Sequence, residues 1–509
     1  MRTVPLFGTG IRAISDIVTR QRRVNCVYDL RKDQDRSAVV VLGTPGASVW
    51  TTVPASPIRG WHVIANTLYV CADTKLFAVT GAGVVTQVAT GIAGSGNVSM
   101  ADNSLQLMIV TGTAGYIYTL STATLATITD IFFPPSATSV IFLNGRFVVN
   151  KGNTREFYVS GILDGFVWTY LGTAPIFGTK ENNSDLLVRV GNYNGTLLLW
   201  GQQSIEFWQD VGELSLPYQR INGATQSWGL AADLSSVELG NTQMFLGSAP
   251  DGGIAAIRLN GYVPEPVSDS DLNTLFSSFS RVDDAVAFTY TVYGHPIYQI
   301  TFPTQNRSFA YDTVSGVWHE AQTGVAEIGR HFAQYGVTFN SKNYVTDTST
   351  GKIYLLDKDV LTDDGALIKR QIVTRHIRNQ GNEINIAELY LDFETGVGVS
   401  GTAPFDPLGD LLTEDEDILV TEDGDPLAVE TGVPTTAANP QVSLRISRDG
   451  GRTFGNERWV PLGRLGQYYT RVMLRRLGSA RDFVVQITLT DSVKFVLASG
   501  SVDMDTADD

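Results

Sequence analysis

Two cysteines in 509 residues, Cys26 and Cys71, are too few for a disulfide framework, and their separation matches no metal-ligand pattern. A reduced compartment is therefore expected. Histidine is almost as scarce: His62, His295, His319, His331 and His376 are scattered without i,i+4 or short-loop spacing, so the sequence itself specifies no zinc site. No uninterrupted apolar run reaches the roughly 18 residues needed to cross a bilayer. The opening MRTVPLFGTGIRAISDIV lacks the apolar core of a signal peptide, so neither a membrane span nor export by that route is expected.

Charge is also sparse. Charged residues make up 17% of the chain, against roughly 25% in an average soluble protein. The net charge of −15 comes from 52 acids and 37 bases, and it is concentrated. Residues 406–430, DPLGDLLTEDEDILVTEDGDPLAVE, hold ten acids and no Lys or Arg, and without them the balance is 42 against 37. Residues 445–481 hold nine arginines against Asp449 and Glu457. An acidic segment thus precedes a basic one.

What the chain has in quantity is glycine, 50 residues, together with Thr, Val and Tyr. That mixture favours many short strands joined by tight turns. A strand–turn–strand theme without helical spacing recurs from His62, Ser99, Ser139, Val190, Val237, Ala287 and Gly336. Its turn residues Asn66, Asn103, Asn144, Asn194, Asn241, Gly294 and Asn340 lie 37 to 53 residues apart, the spacing of four-stranded propeller blades. One blade cannot bury both of its faces, whereas a closed ring can. Phe77, Tyr118, Tyr158, Phe207, Tyr311 and Tyr354 are read as packing between neighbouring blades. Six or seven blades fit, because the last unit could belong to the domain that follows.

From Leu367 the period fails and alternating segments bounded by Gly, Asp or Pro take over. The fold class expected is all-β: a six- or seven-bladed β-propeller over 46–365 and a C-terminal antiparallel β-sandwich or barrel over 366–509. The N-terminal arm, 1–45, is expected to pair with that second domain through RRVNCVYDL and VVVLGTPGA. An acidic insert at about 396–440 reads as solvated or as a small hairpin appendage. It carries Glu414, Asp415, Glu416, Asp417, Glu422, Asp423 and Asp425, without the ligand alternation of an EF-hand. The tail SVDMDTADD is expected to fray.

The one recognisable short motif is RISRDGGRTF. Ser447, Asp449, Gly451, Thr453 and Phe454 reproduce the Asp-box spacing that recurs in sialidase propellers. Physically it describes a tight turn, with Asp449 accepting amides, Gly450 and Gly451 supplying positive φ, and Phe454 returning into the sheet. A sialidase needs more: an arginine triad, a Tyr/Glu nucleophile pair, an acid/base Asp and usually several boxes. Paired acids such as Asp283 and Asp284 are adjacent, point apart on a strand and form no dyad. No catalytic residue, metal or cofactor is assigned. Arg445, Arg448, Arg471, Arg475 and Arg476 are the candidate partner-binding residues, since arginines on alternating strand positions can hold phosphate, carboxylate or an acidic neighbour.

The run from Val442 to Leu497, with Arg22, Asn25 and Tyr28 and the later Thr44-Pro45-Gly46, resembles the tail hub or nozzle proteins of short-tailed bacteriophages. These are also called packaged DNA stabilisation proteins. The resemblance implies a catalytically inert virion protein, assembled in the bacterial cytoplasm, six copies of which ring the exit channel for DNA. It further implies contacts with a tail adaptor ring above, with tail fibres or spikes and possibly a needle, and sequence-independent passage of double-stranded DNA. The alternative reading is a propeller adhesin for host glycans, with Trp50, Trp61, Trp168, Trp200, Trp208, Trp228, Trp318 and Trp459 as stacking surfaces and a sialidase-like glycosidase as its less favoured variant.

Overall fold

The computed structural model describes residues 19–30, 39–379, 381–397 and 439–506. Apart from its ends, the acidic insert lies outside the described residues, and with it Glu414, Asp415, Glu416, Asp417, Glu422, Asp423 and Asp425. The chain divides into two compact units. One comprises Pro45–Thr323 with Glu327–Val360, and the other comprises the segments before and after it with Gly324–Ala326.

The first unit is a propeller with seven blades among the described residues. The blades begin with the strands Ile58–Ile64, Ser99–Asp102, Val140–Leu143, Leu187–Tyr193, Val237–Leu239, Val286–Val292 and Tyr335–Phe339. Each of these pairs antiparallel with the next strand of its own blade. All seven turn residues named above stand in the connection that follows the first strand, Asn241 beside Gly240. Asn144-Gly145 and Asn194-Gly195 have positive φ throughout, 50° and 82° in both cases, as a two-residue hairpin demands. Asn103 works differently: its Oδ1 accepts the amides of Leu105 and Gln106, at 3.0 and 2.7 Å.

Alternation along the strands sends neighbouring side chains to opposite faces, so each blade is buried on both sides. In the first blade, Leu76 packs towards Leu107 and Tyr118 of the second, while adjacent Phe77 packs towards Phe339 and Tyr344 of the seventh. Large side chains buried this way contribute roughly 1.5–3 kcal/mol each. The last unit belongs to the ring, which resolves the choice between six blades and seven. Its outermost strand is Gly46–Thr52, borrowed from before the first blade and paired with Lys352–Asp357. Close approach of the inner strands requires glycine at position 336, where a Cβ would lie 2.4 Å from Cδ2 of Phe288.

Two short helical segments occur among the described residues, the 3₁₀ turn Asp233–Ser235 and the α-helix Ser270–Ser277. The latter went unread in the sequence. Asp269 caps it, accepting the Leu272 amide at 2.9 Å, and Leu272 and Phe276 are buried. Asp283 and Asp284 occupy a turn, not a strand: Asp283 pairs with Arg281, and Asp284 accepts the Thr304 amide and hydroxyl.

The second unit contains two five-stranded antiparallel sheets. Arg22–Val24, Arg370–Val373, Val484–Leu489, Gln441–Ser447 and Arg458–Pro461 follow one another across the first. Cys26–Leu30, Val39–Gly43, Val496–Thr506, Ile384–Phe393 and Val472–Ala480 make the second. The N-terminal arm thus supplies strands to both. The tail does not fray through Asp503, because Val496–Thr506 pairs along the whole of Ile384–Phe393. Both cysteines are buried free thiols, and burial raises Cys26 to about 12 and Cys71 to about 11.

Candidate assembly surface of the β-sandwich

The Asp-box forms a closed turn at the end of Gln441–Ser447, in the sandwich and not in the propeller. Ser447 Oγ donates to Asp449 at 2.6 Å and accepts the Gly451 amide at 2.7 Å. Asp449 also accepts the Thr453 amide and hydroxyl, at 2.9 and 2.6 Å, and Gly450 and Gly451 take φ of 70° and 87°. Desolvation opposes ionisation of the exposed Asp449, yet the hydrogen bonds from Ser447, Thr453 and Arg452 outweigh it and hold the carboxyl at about 2. Phe454 does not return into the sheet as the motif suggests. It lies outside the strands, half-buried, with the Arg445 guanidinium 5.7 Å above its ring.

The arginines do not share one sheet. Arg445 stands on Gln441–Ser447 in the first sheet and donates to the Gly455 carbonyl at 3.2 Å, whereas Arg475 and Arg476 stand on Val472–Ala480 in the second. Strict alternation would bury one of the latter pair. A bulge opposite Ile386–Glu388, with Arg476 at φ 58°, leaves both exposed. Arg475 donates to Glu388 at 3.1 Å. Arg448 lies over Gly478, and Arg471 is exposed just ahead of the strand.

Arg475 and Arg476 stand on a sheet edge, with Arg471 just ahead of it. Arg458–Pro461 ends the first sheet and Val472–Ala480 ends the second, and Arg458 reaches the Arg475 carbonyl at 3.5 Å. Exposed sheet edges invite strand addition, and here a bulge, Pro461 and the arginines blunt both. The connection between the two edge strands was missed at the level of sequence, although it carries a signal: adjacent Tyr468 and Tyr469 cannot both turn inward from a strand. Trp459 is 54% exposed, Leu465 56%, Tyr468 67% and Tyr469 97%. The loop is nevertheless tied down. Gly463 and Gly466 take φ of 90° and 86°, Leu462 donates to Pro440 and accepts from Gly396, and Thr395 Oγ1 donates to the Tyr468 carbonyl at 2.9 Å.

The other candidates settle into structural roles. His62 pairs with Asp102, His295 with Asp312 and His376 with Asp482, at 2.7, 2.7 and 2.8 Å. The His62 hydrogen bond holds the Asp102 carboxyl below its usual range. Among the described residues no group of three or more His, Cys, Asp or Glu side chains is placed to hold a metal ion, and no helix is long and apolar enough to cross a membrane. Trp168, Trp200, Trp208 and Trp318 are buried and Trp50, Trp61 and Trp228 half-buried, leaving Trp459 as the exposed one of the eight. The stacking surfaces of the adhesin reading are therefore mostly core.

Comparison with known families decides the identity. Residues 5–361 match the model described as "Bacteriophage P22 Gp10, beta-propeller", and residues 409–505 match "Bacteriophage P22 Gp10, beta-sandwich". The chain belongs to the bacteriophage P22 Gp10 family. It is a structural protein of a phage tail and a virion component, in a family of tail hub or nozzle proteins that stabilise packaged DNA. No curated protein matches this Gp10-family chain in sequence. Among solved structures, the extracellular domain of a hybrid two-component system from B. thetaiotaomicron is 7% identical at a TM-score of 0.41, over 70% of this chain and 42% of that one. The N-terminal domain of Nup159 is 10% identical at 0.39, over 66% of the Gp10-family chain and 99% of the other. At TM-scores below 0.5 these likenesses bear on neither function nor partners.

Proposed function

We propose that six copies of the chain close into a ring, the tail hub or nozzle, which extends the portal–adaptor channel, retains the packaged DNA and conducts it during ejection. The observation that carries this reading is the match of both Gp10 domains along one chain. A heterologous ring closes by repeating one head-to-tail contact and needs no catalysis. The adaptor ring above, tail fibres or spikes beside it and a needle are the partners this role implies, with assembly in the host cytoplasm.

A conduit must let its cargo slip. Duplex DNA carries one charge per ~1.7 Å and binds basic walls by counterion release, so the wall has to be neutral or acidic. Sparse charge in the propeller supports this. On the seven first strands the charged side chains are Arg59, Asp102, Arg189 and Glu238, two of each sign. Arg59 is buried and donates to backbone carbonyls of Asp73, Ala93 and Gly96, Asp102 meets His62, and Arg189 meets Asp233. In this reading Arg445, Arg448, Arg471, Arg475 and Arg476 face partner subunits. Electron microscopy of the virion and of the purified chain tests it, with a ring around a central channel as the expected image. Arginines lining that channel, or a ringless particle that binds host glycans, would overturn it.

A further inference from the structure

We propose that the tied loop between the two sandwich edge strands, with Trp459, Leu465, Tyr468 and Tyr469, is the contact through which one copy of the chain docks on a second copy. The proposal rests on the ring reading and adds the residues that make the contact. Single exposed apolar side chains are ordinary on any surface. Four large ones within residues 459–469, three of them aromatic, are not scattered. Trp, Tyr and Arg are the residues that dominate protein–protein binding energy, and here Arg458, Arg464, Arg471 and Arg475 surround the aromatics.

Two further observations select the occupant. The loop is held by backbone hydrogen bonds from Leu462, Gly396 and Gln467, so docking costs little ordering entropy. The patch is basic on a chain of net charge −15, so a second copy approaches it with complementary charge. Both flanking edges are blunted by the bulge at Arg476 and by Pro461, which directs the contact to side chains and away from strand addition.

The test uses the full chain. Sedimentation velocity over a range of concentrations compares the wild type with Trp459→Ser/Tyr469→Ser and with Arg464→Glu/Arg471→Glu. Both variants change exposed side chains, so thermal unfolding should be unaltered while self-association weakens about tenfold or more. In a mixture of isotopically light and heavy Tyr469→Cys chains, a cross-linker with one thiol-reactive and one photoreactive arm should join light chain to heavy. Unchanged self-association in both variants overturns the proposal. So do cross-links confined to one chain, which would make the chain's own 398–438 segment the occupant, and a loss restricted to binding of a 30-base-pair duplex, which would make the loop a DNA contact. A ring that survives both variants removes this contact alone, whereas a wild-type chain that forms no ring removes the ring reading with it.

Discussion

Leu356 stands directly across from Ala47, and between them they close the propeller. One belongs to the third strand of the last blade and the other to a segment that precedes the first, so the ring is sealed by residues over 300 positions apart in sequence. Ala47 is buried with Phe288, Ile297, Val345 and Tyr354 at the junction of the sixth and seventh blades.

Placing a charge at that seam should open it. Ala47→Asp buries an unpaired carboxylate among aromatic and aliphatic side chains, a cost of about 3 kcal/mol or more. The expected outcome is a marked fall in the thermal midpoint, with early proteolytic cleavage between Thr52 and Ile58. Val49→Ser, a half-exposed position on the same strand, should leave both measurements near wild type. Equal stability of the Ala47→Asp chain would show that the borrowed strand does not hold the ring shut.

The blade turns were legible because glycine and asparagine in the left-handed region leave a direct mark at positions such as Asn144-Gly145 and Asn194-Gly195. Blade number was not, because the identity of the strand that completes the seventh sheet is a long-range pairing with no local signature. The arginines are visible as composition, but nothing local shows that Arg445 and Arg475 stand on two different sheets. Period-2 reasoning cannot assign a strand to a sheet, and it fails at the Arg476 bulge, where both neighbours turn outward. The exposed loop around Tyr469 is not legible in the sequence because aromatics in a β-rich chain are usually core, and only accessibility separates Tyr469 from Tyr118.

Lys180, in the connection from the third blade to the fourth, is fully buried, and Asp185 is its partner. Burial opposes the charge on Asp185, but the hydrogen bonds from Lys180, the Gln203 amide and the Ser204 hydroxyl outweigh it and keep the carboxyl below its usual range. Asp185→Asn leaves the ammonium uncompensated and should cost about 3–5 kcal/mol in urea unfolding. Lys180→Met/Asp185→Asn removes the stranded charge and should recover more than half of that loss. If the double variant is no more stable than the single one, the pair is not what the site requires.

His331 gives the propeller a pH dependence of definite sign. Burial pushes its imidazole down to about 4, and its Nδ1 accepts the Ala333 amide at 3.2 Å, a bond that only the form unprotonated at Nδ1 can make. Phe332 stacks on the ring at 4.7 Å and the Ser308 hydroxyl accepts the His331 amide, so no acidic side chain is among these contacts. The unfolded chain takes up this proton near pH 6.5 and the folded chain only near 4, so the contribution is complete above 6.5 and is lost as pH falls towards 4. The loss over that window is at most roughly 3 kcal/mol. His331→Gln cannot titrate, and the difference in unfolding free energy between wild type and variant should therefore shrink steadily from pH 7 to pH 4.5. A difference that stays constant with pH would mean that His331 takes up its proton at the same pH in the folded and the unfolded chain.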